Sequence, residues 1–220
     1  MELRKKVLKL CFWSSIASAV FTVSFIVSLP LTFMPNLIEW TGVSAYVETF
    51  SPMQMFTVLP SILLASAYLI FTVSLYYYSE NDKKIWSHLS IAFGLIYAII
   101  STTNYLIQII TVMPSLKNNQ LEGLEIFVAG NSNSIFYALM GSYLFLCISS
   151  FFIVALIFNK DKEQKAIRML FFGAGLAGPI CLFGAVVPIL MSIAGVLWAL
   201  CFTLGLIKVA LYFNKLLKTE

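Results

Sequence analysis

Four neutral polar side chains, Tyr97, Ser101, Asn104 and Gln108, recur at steps of four, three and four, with Tyr105 beside them. On an α-helix this spacing puts the four on one face. Amides and hydroxyls so aligned can orient a small ligand through hydrogen bonds, or they can bond to neighbouring helices. An amide facing hydrocarbon would lose its partners, so the face is expected to point inward. The helical hydrogen-bonding alternative names Ser14, Ser18 and Thr22, or Ser142 and Ser149, as partners.

The stretch GAGLAG at 173–178 is a literal match to the dinucleotide fingerprint G-x-G-x-x-G. That fingerprint needs a preceding strand, a helix N-terminus at the pyrophosphate and an acidic residue about 20 positions later. Here Pro179 follows directly, the surroundings are apolar, and no Asp or Glu occurs between Glu163 and Glu220. No nucleotide is expected. Small residues four apart, Gly173 with Ala177 and Ala174 with Gly178, instead suit close helix packing, and Gly195, Ala199 and Thr203 repeat the spacing. Pro179 predicts a kink or local break.

Other chemistry is sparse. His88 is the single histidine and lacks carboxylate or cysteine company, so a metal site is not expected. Cys11, Cys147, Cys181 and Cys201 fall in apolar runs without CxxC spacing and read as small packing residues. No nucleophile–base pair or metal cluster can be assembled. The expectation is a protein that is not an enzyme and takes no cofactor.

The elements that must position these residues follow from composition. The 220 residues are 60% hydrophobic and only 11% charged, against about 25% charged in soluble domains. Apolar runs of membrane-spanning length recur. An all-α, polytopic bundle of six spans is expected, in one domain over 1–220, because a helix satisfies its own backbone in lipid. The spans are placed near 10–33, 55–78, 86–113, 134–158, 166–187 and 190–212. The last two come from one apolar stretch of roughly 45 residues, which as a single helix would reach about 67 Å, twice the hydrocarbon thickness. It must fold back, and GAVVP at 184–188 is the expected turn. The apolar run after Lys9 continues to Pro30, longer than a signal-peptide core, so a retained first span is expected.

Orientation comes from the cations. With the N-terminus inside, thirteen of the fourteen Lys and Arg fall on one side and only Lys117 on the other, where Glu39, Glu48, Glu122 and Glu125 lie. The positive-inside rule then puts both termini in the cytoplasm, and the net charge of +4 needs no nucleic acid to explain it. Tyr76, Tyr77, Tyr78 and Trp86 flank the inner SENDKK loop as interfacial anchors, with Trp13 and Trp40 near the two ends of span one. No Asp, Glu, Arg or His falls near the bilayer centre, which disfavours proton relays and intramembrane hydrolysis. On the outer side, Asn119 and Glu122 have capping-box spacing, and Leu121, Leu124 and Val128 share a face. A short amphipathic helix over 119–129 is predicted, with 37–50 on the same surface.

The Asn104, Tyr105, Gln108 pattern, the outer Glu122, Gly123, Leu124 segment and AGNSNSIFYAL at 129–139 resemble small six-span prokaryotic membrane proteins grouped as domains of unknown function. The resemblance implies a topology and a prokaryotic plasma membrane, and brings no activity, substrate or catalytic residue. The leading expectation is a bilayer protein binding or moving a small neutral or lipid-like ligand in an internal cavity. Tyr97, Ser101, Asn104, Tyr105 and Gln108 would line that cavity. The rival is an accessory protein, or a homo-oligomer, packing with a membrane partner through Gly173, Ala177, Gly178, Gly195 and Ala199.

Overall fold

All secondary structure among the described residues is helical, as expected of a chain whose backbone groups have to pair without help from water. The computed structural model describes residues 2–33, 40–158, 162–184 and 186–219. Helix α1 runs Glu2–Phe33, α2 Val43–Thr49, α3 Val58–Tyr78, α4 Lys84–Ile107, α5 Met113–Lys117, α6 Ile135–Met140, α7 Tyr143–Ile157, α8 Lys162–Phe183 and α9 Pro188–Thr219. Six stretches are long and apolar enough to cross a membrane: Glu2–Pro30, Met55–Tyr78, Asn81–Lys117, Ile135–Phe152, Lys162–Phe183 and Pro188–Thr219.

Local chemistry explains where these helices begin, end and deviate. Before α3, Ser51 accepts a hydrogen bond from the Met53 N–H and Pro52 opens a 3-10 turn. Between α4 and α5, residues Gln108–Val112 form a π-helical turn. Pro114 has no N–H and its ring crowds the carbonyl four residues back, so the turn ahead of it widens. Span four is interrupted at Gly141–Ser142, between α6 and α7, and a Gly/Ser pair is a common place for a helix to break. The α8–α9 stretch folds back between Phe183 and Pro188, with Pro188 at the first position of α9. A Cβ at Gly184 would sit 2.9 Å from the Met191 backbone nitrogen, so the turn closes tightly only on glycine. Of the kink or local break expected at Pro179, the break does not occur: α8 continues through it to Phe183.

The six long elements close into a ring in chain order, α1–α3–α4–α7–α8–α9, with α9 returning to α1. Each contributes an aromatic side chain to the axis. Tyr97 meets Tyr68 at 6.3 Å and Tyr143 at 5.5 Å, Tyr143 meets Phe25 at 5.7 Å and Trp198 at 5.6 Å, and Phe171 meets Phe202 at 6.0 Å. Such stacked and edge-to-face pairs add to the burial of large apolar surfaces. The outside is apolar too: Val27, Ile99, Ile110, Val196, Leu200 and Leu211 are exposed. A surface of that kind suits contact with a lipid bilayer.

The first and last helical turns meet at one end of the ring. There the Tyr78 and Tyr212 hydroxyls lie 2.8 Å apart, Gln164 donates to Tyr212 at 3.0 Å, and Lys215 pairs with Glu163 at 2.7 Å. The opposite end carries a folded cap made by 40–50 and 118–134. Here the expectation of an amphipathic helix over 119–129 is corrected. Asn119 and Gly123 take left-handed backbone conformations (φ 55° and 70°), which no helix tolerates in its interior, and only Leu124–Ile126 forms a 3-10 turn. The apolar residues of that segment are nevertheless buried. Leu124 and Val128 pack with Tyr46, Val112 and Leu116, with Leu121, Phe127 and Trp40 around them. Burial pushes the Tyr46 phenol up to about 12, so it stays uncharged. Glu39 and the start of the 37–50 segment lie outside the described residues.

A polar stripe that holds the cap and a side groove

The five stripe residues all point into the ring and all are buried. Two of them are committed to backbone carbonyls, Asn104 in α6 and Gln108 in the cap. Asn104 Nδ2 donates to the Phe136 carbonyl at 3.2 Å, and Gln108 Nε2 donates to the Phe127 carbonyl at 2.9 Å. The π-helical turn that begins at Gln108 changes the register of the helix beyond it, so α5 can reach the cap with Val112 and Leu116 buried. The partners expected from spans one and four are not used. Ser14 and Thr22 bond to carbonyls of their own helix, and the Ser18 and Ser142 hydroxyls meet no partner among the described residues. Ser149 instead joins Tyr68 at 2.9 Å and Ser90 at 2.9 Å. That three-helix node was not singled out in the sequence, since Ser and Tyr are too common in apolar helices to mark it.

Beside Gln108 and Tyr105 the free space amounts to about 20 Å³, bounded also by Thr57 and Met140. That volume is on the scale of one water. Replacing Gln108 with Leu leaves the Phe127 carbonyl without its donor. The cap is expected to loosen by about 1–3 kcal/mol, read as faster proteolysis within 118–131 and unchanged cleavage elsewhere. Equal protection in wild type and variant would show that the amide does not hold the cap.

Room for a molecule lies elsewhere. A groove of about 520 Å³ opens among α1, α6–α7, α8 and α9. Its walls include Phe25, Leu144, Cys147, Ala177, Ala194 and Trp198, and exposed Leu182, Met191 and Val196 form its rim. The space exists because side chains are small where four elements converge: Gly141, Ala177, Gly178, Ala194, Gly195 and Ala199. No carboxylate, ammonium, guanidinium or imidazole is among its described lining residues. The interruption of span four falls at the groove, since Gly141 lines it; irregular backbone at membrane depth is tolerated where it borders a cavity or is buried in protein.

The stripe stands directly behind the groove. Tyr143 lines the groove and also touches Tyr97 at 5.5 Å, and its hydroxyl is 3.3 Å from that of Tyr105. Tyr105 donates to the Met140 sulfur at 3.4 Å, and Met140 borders both the groove and the small space under the cap. Among the described residues, Tyr97 Oη, Ser101 Oγ and Trp198 Nε1 are buried and meet no hydrogen-bond partner. This groove had no signature in the sequence beyond its small residues, whose spacing reads equally well as packing.

Those small residues divide into two uses. A Cβ at Gly173 would lie 2.8 Å from the Cys201 sulfur of α9, and one at Gly178 would lie 2.8 Å from the Cys147 Cβ of α7. Ala177 is buried between the same helices. Gly175 and Gly205, neither singled out beforehand, are closer still to Phe151 and Phe171. Gly195 is not packed against another helix of this chain: nothing lies within 4 Å of where its Cβ would be. Ala199 is half-buried on the groove wall.

His88 lies 4.6 Å from the Tyr76 ring, over which the Lys84 ammonium sits at 5.4 Å, an interfacial cluster without metal-ligand company. No group of three or more His, Cys, Asp and Glu among the described residues could hold a metal ion. A second cavity of about 450 Å³ is lined by Arg4, Tyr78, Glu80, Phe158 and Gln164. No family model, no curated protein and no solved structure matches the chain.

Proposed function

We propose that this chain is an integral protein of a prokaryotic plasma membrane that binds or moves a lipid-like molecule through its side groove and catalyses no reaction. The supporting observation is the groove itself: about 520 Å³, apolar throughout its charged-residue-free lining, and rimmed by side chains on the lipid-suited exterior. A volume in the range of 300–1,000 Å³ is typical of small-molecule sites. In this reading Tyr97, Ser101 and Tyr105 act from behind Tyr143, Asn104 contributes by holding α6 and Gln108 by fixing the cap. The experiment is photo-labelling with a diazirine-bearing acyl chain in bilayer nanodiscs. Adducts are expected on 140–147, 177–182 and 191–199; adducts spread evenly over all exposed apolar faces would refute a specific groove.

The accessory-protein alternative has less to stand on, because the close faces of Gly173, Ala177 and Gly178 are engaged within the chain. It would show itself as a stable oligomer cross-linked across the Met191 and Val196 rim.

Both termini are placed in the cytoplasm in this proposal, with the cap outside. Single-cysteine labelling from outside intact cells is expected to reach positions 122 and 125 and to miss 83 and 163. Labelling at position 83 from outside would reverse the orientation.

A further inference from the structure

We propose that the cap carries a second site, which binds a sugar ring or a similar ring polyol, and that Gln120 and Glu122 are the groups that recognise it. This site shares no residue with the lipid groove and stands whether or not the groove takes lipid. It is a concavity of about 540 Å³ at the end of α5. Leu124, buried, forms its floor with half-buried Leu121 and Phe127, all three belonging to the apolar cluster of the cap. Around that floor stand two hydroxyls, Thr111 and Ser115, two amides, Asn119 and Gln120, and one carboxylate, Glu122.

The shape is preformed by the backbone. Asn119 ends α5 in a left-handed conformation, the Gln120 N–H bonds the Ser115 carbonyl at 2.9 Å, and Gln108 holds the Phe127 carbonyl at 2.9 Å. The Asn119, Gln120 and Glu122 side chains are exposed, so an arriving molecule can reach them. Within the described chain none of the five polar side chains is taken up by a hydrogen bond or ion pair. Amides and hydroxyls both donate and accept, and the carboxylate accepts.

The occupant's chemistry follows from this lining. No ammonium or guanidinium is among the described lining residues, so an anion finds no counter-charge. One carboxylate alone is a poor cage for a hard cation, which takes six or more oxygens. An acyl chain would cover the floor but strip water from the rim and give nothing in return. A pyranose satisfies both parts, with C–H groups on its face for Phe127 and the leucines and hydroxyls at its edge for the rim.

The test uses the full-length chain in nanodiscs and two soluble photoactivatable probes, a diazirine-bearing methyl glucoside and a cyclohexylmethanol with the same diazirine. A third probe is a glucosyl-diacylglycerol in the disc, its diazirine on the sugar. Wild type is expected to be labelled in 111–127 about tenfold more by the glucoside than by the cyclohexyl probe, the effect of one ordinary hydrogen bond. Labelling by the lipid-borne sugar alone also supports the site and identifies a membrane glycolipid as its source. Gln120→Ala combined with Glu122→Ala should bring sugar labelling down to the cyclohexyl level. Cyclohexyl labelling and the unfolding midpoint should not change, because both side chains are exposed. Sugar labelling of wild type no greater than cyclohexyl labelling in both the free and the lipid-borne form, or a preference that survives in the double variant, overturns the proposal.

Discussion

Replacing Gly195 with Phe is expected to lower acyl-chain labelling of the groove by tenfold or more while leaving the fold intact. Nothing lies within 4 Å of the position its Cβ would take, so the new side chain grows into open space. A phenylalanine ring fills much of the entrance beside Met191 and Ala199, all of them groove-lining positions. Stability should not fall, because an exposed helical glycine is a poor helix former and almost any replacement improves it by a few tenths to about 1 kcal/mol. Thermal unfolding in detergent would show a midpoint within about 2 °C of wild type. Labelling that persists at the wild-type level would mean the groove is not where the chain binds.

The opposite result is expected one helix away. Gly175 is the residue against which α7 and α8 close: a Cβ there would lie 2.7 Å from the Phe151 Cβ and 3.1 Å from its Cα. A side-chain tip could swing away, but a neighbouring backbone cannot. Gly175→Val should therefore force the two helices apart, at a cost of about 3 kcal/mol or more. The unfolding midpoint should drop by about 6–12 °C, with aggregation on size-exclusion chromatography. A melt that matches wild type would show that α7 and α8 pack less closely than the distances state. Taken together, a large side chain tolerated at Gly195 and a small one rejected at Gly175 would separate space left for a ligand from space used for packing.

What is legible in the sequence is whatever depends on chain-local quantities. The six long elements follow from apolar run length, and the fold-back at 184–188 follows from a stretch too long for one crossing. The inward stripe follows from the high cost of an amide in hydrocarbon at Asn104 and Gln108. Its hydrogen-bond partners were missed because they are backbone carbonyls of Phe136 and Phe127, and carbonyls have no residue signature. The failed helix at 119–129 had its warning in Gly123, placed mid-segment where a left-handed residue ends any helix. Gly141–Ser142 and Pro114 carried similar local signals for the break in span four and the π-helical turn. The groove was hidden for a deeper reason. It is made by side chains that are missing at positions on several elements, and Gly178 and Gly195 look alike in sequence although one is filled by Cys147 and the other faces open space.

Met140 and Phe25 together stand between two compartments, each lining both the groove and the small space beneath the cap. A thioether has three rotatable bonds and little torsional preference, so volume can pass from one compartment to the other by rotation of a single side chain, with no helix having to move. The tyrosine hydroxyl resting on the Met140 sulfur is the only directional restraint on that side chain among the described contacts.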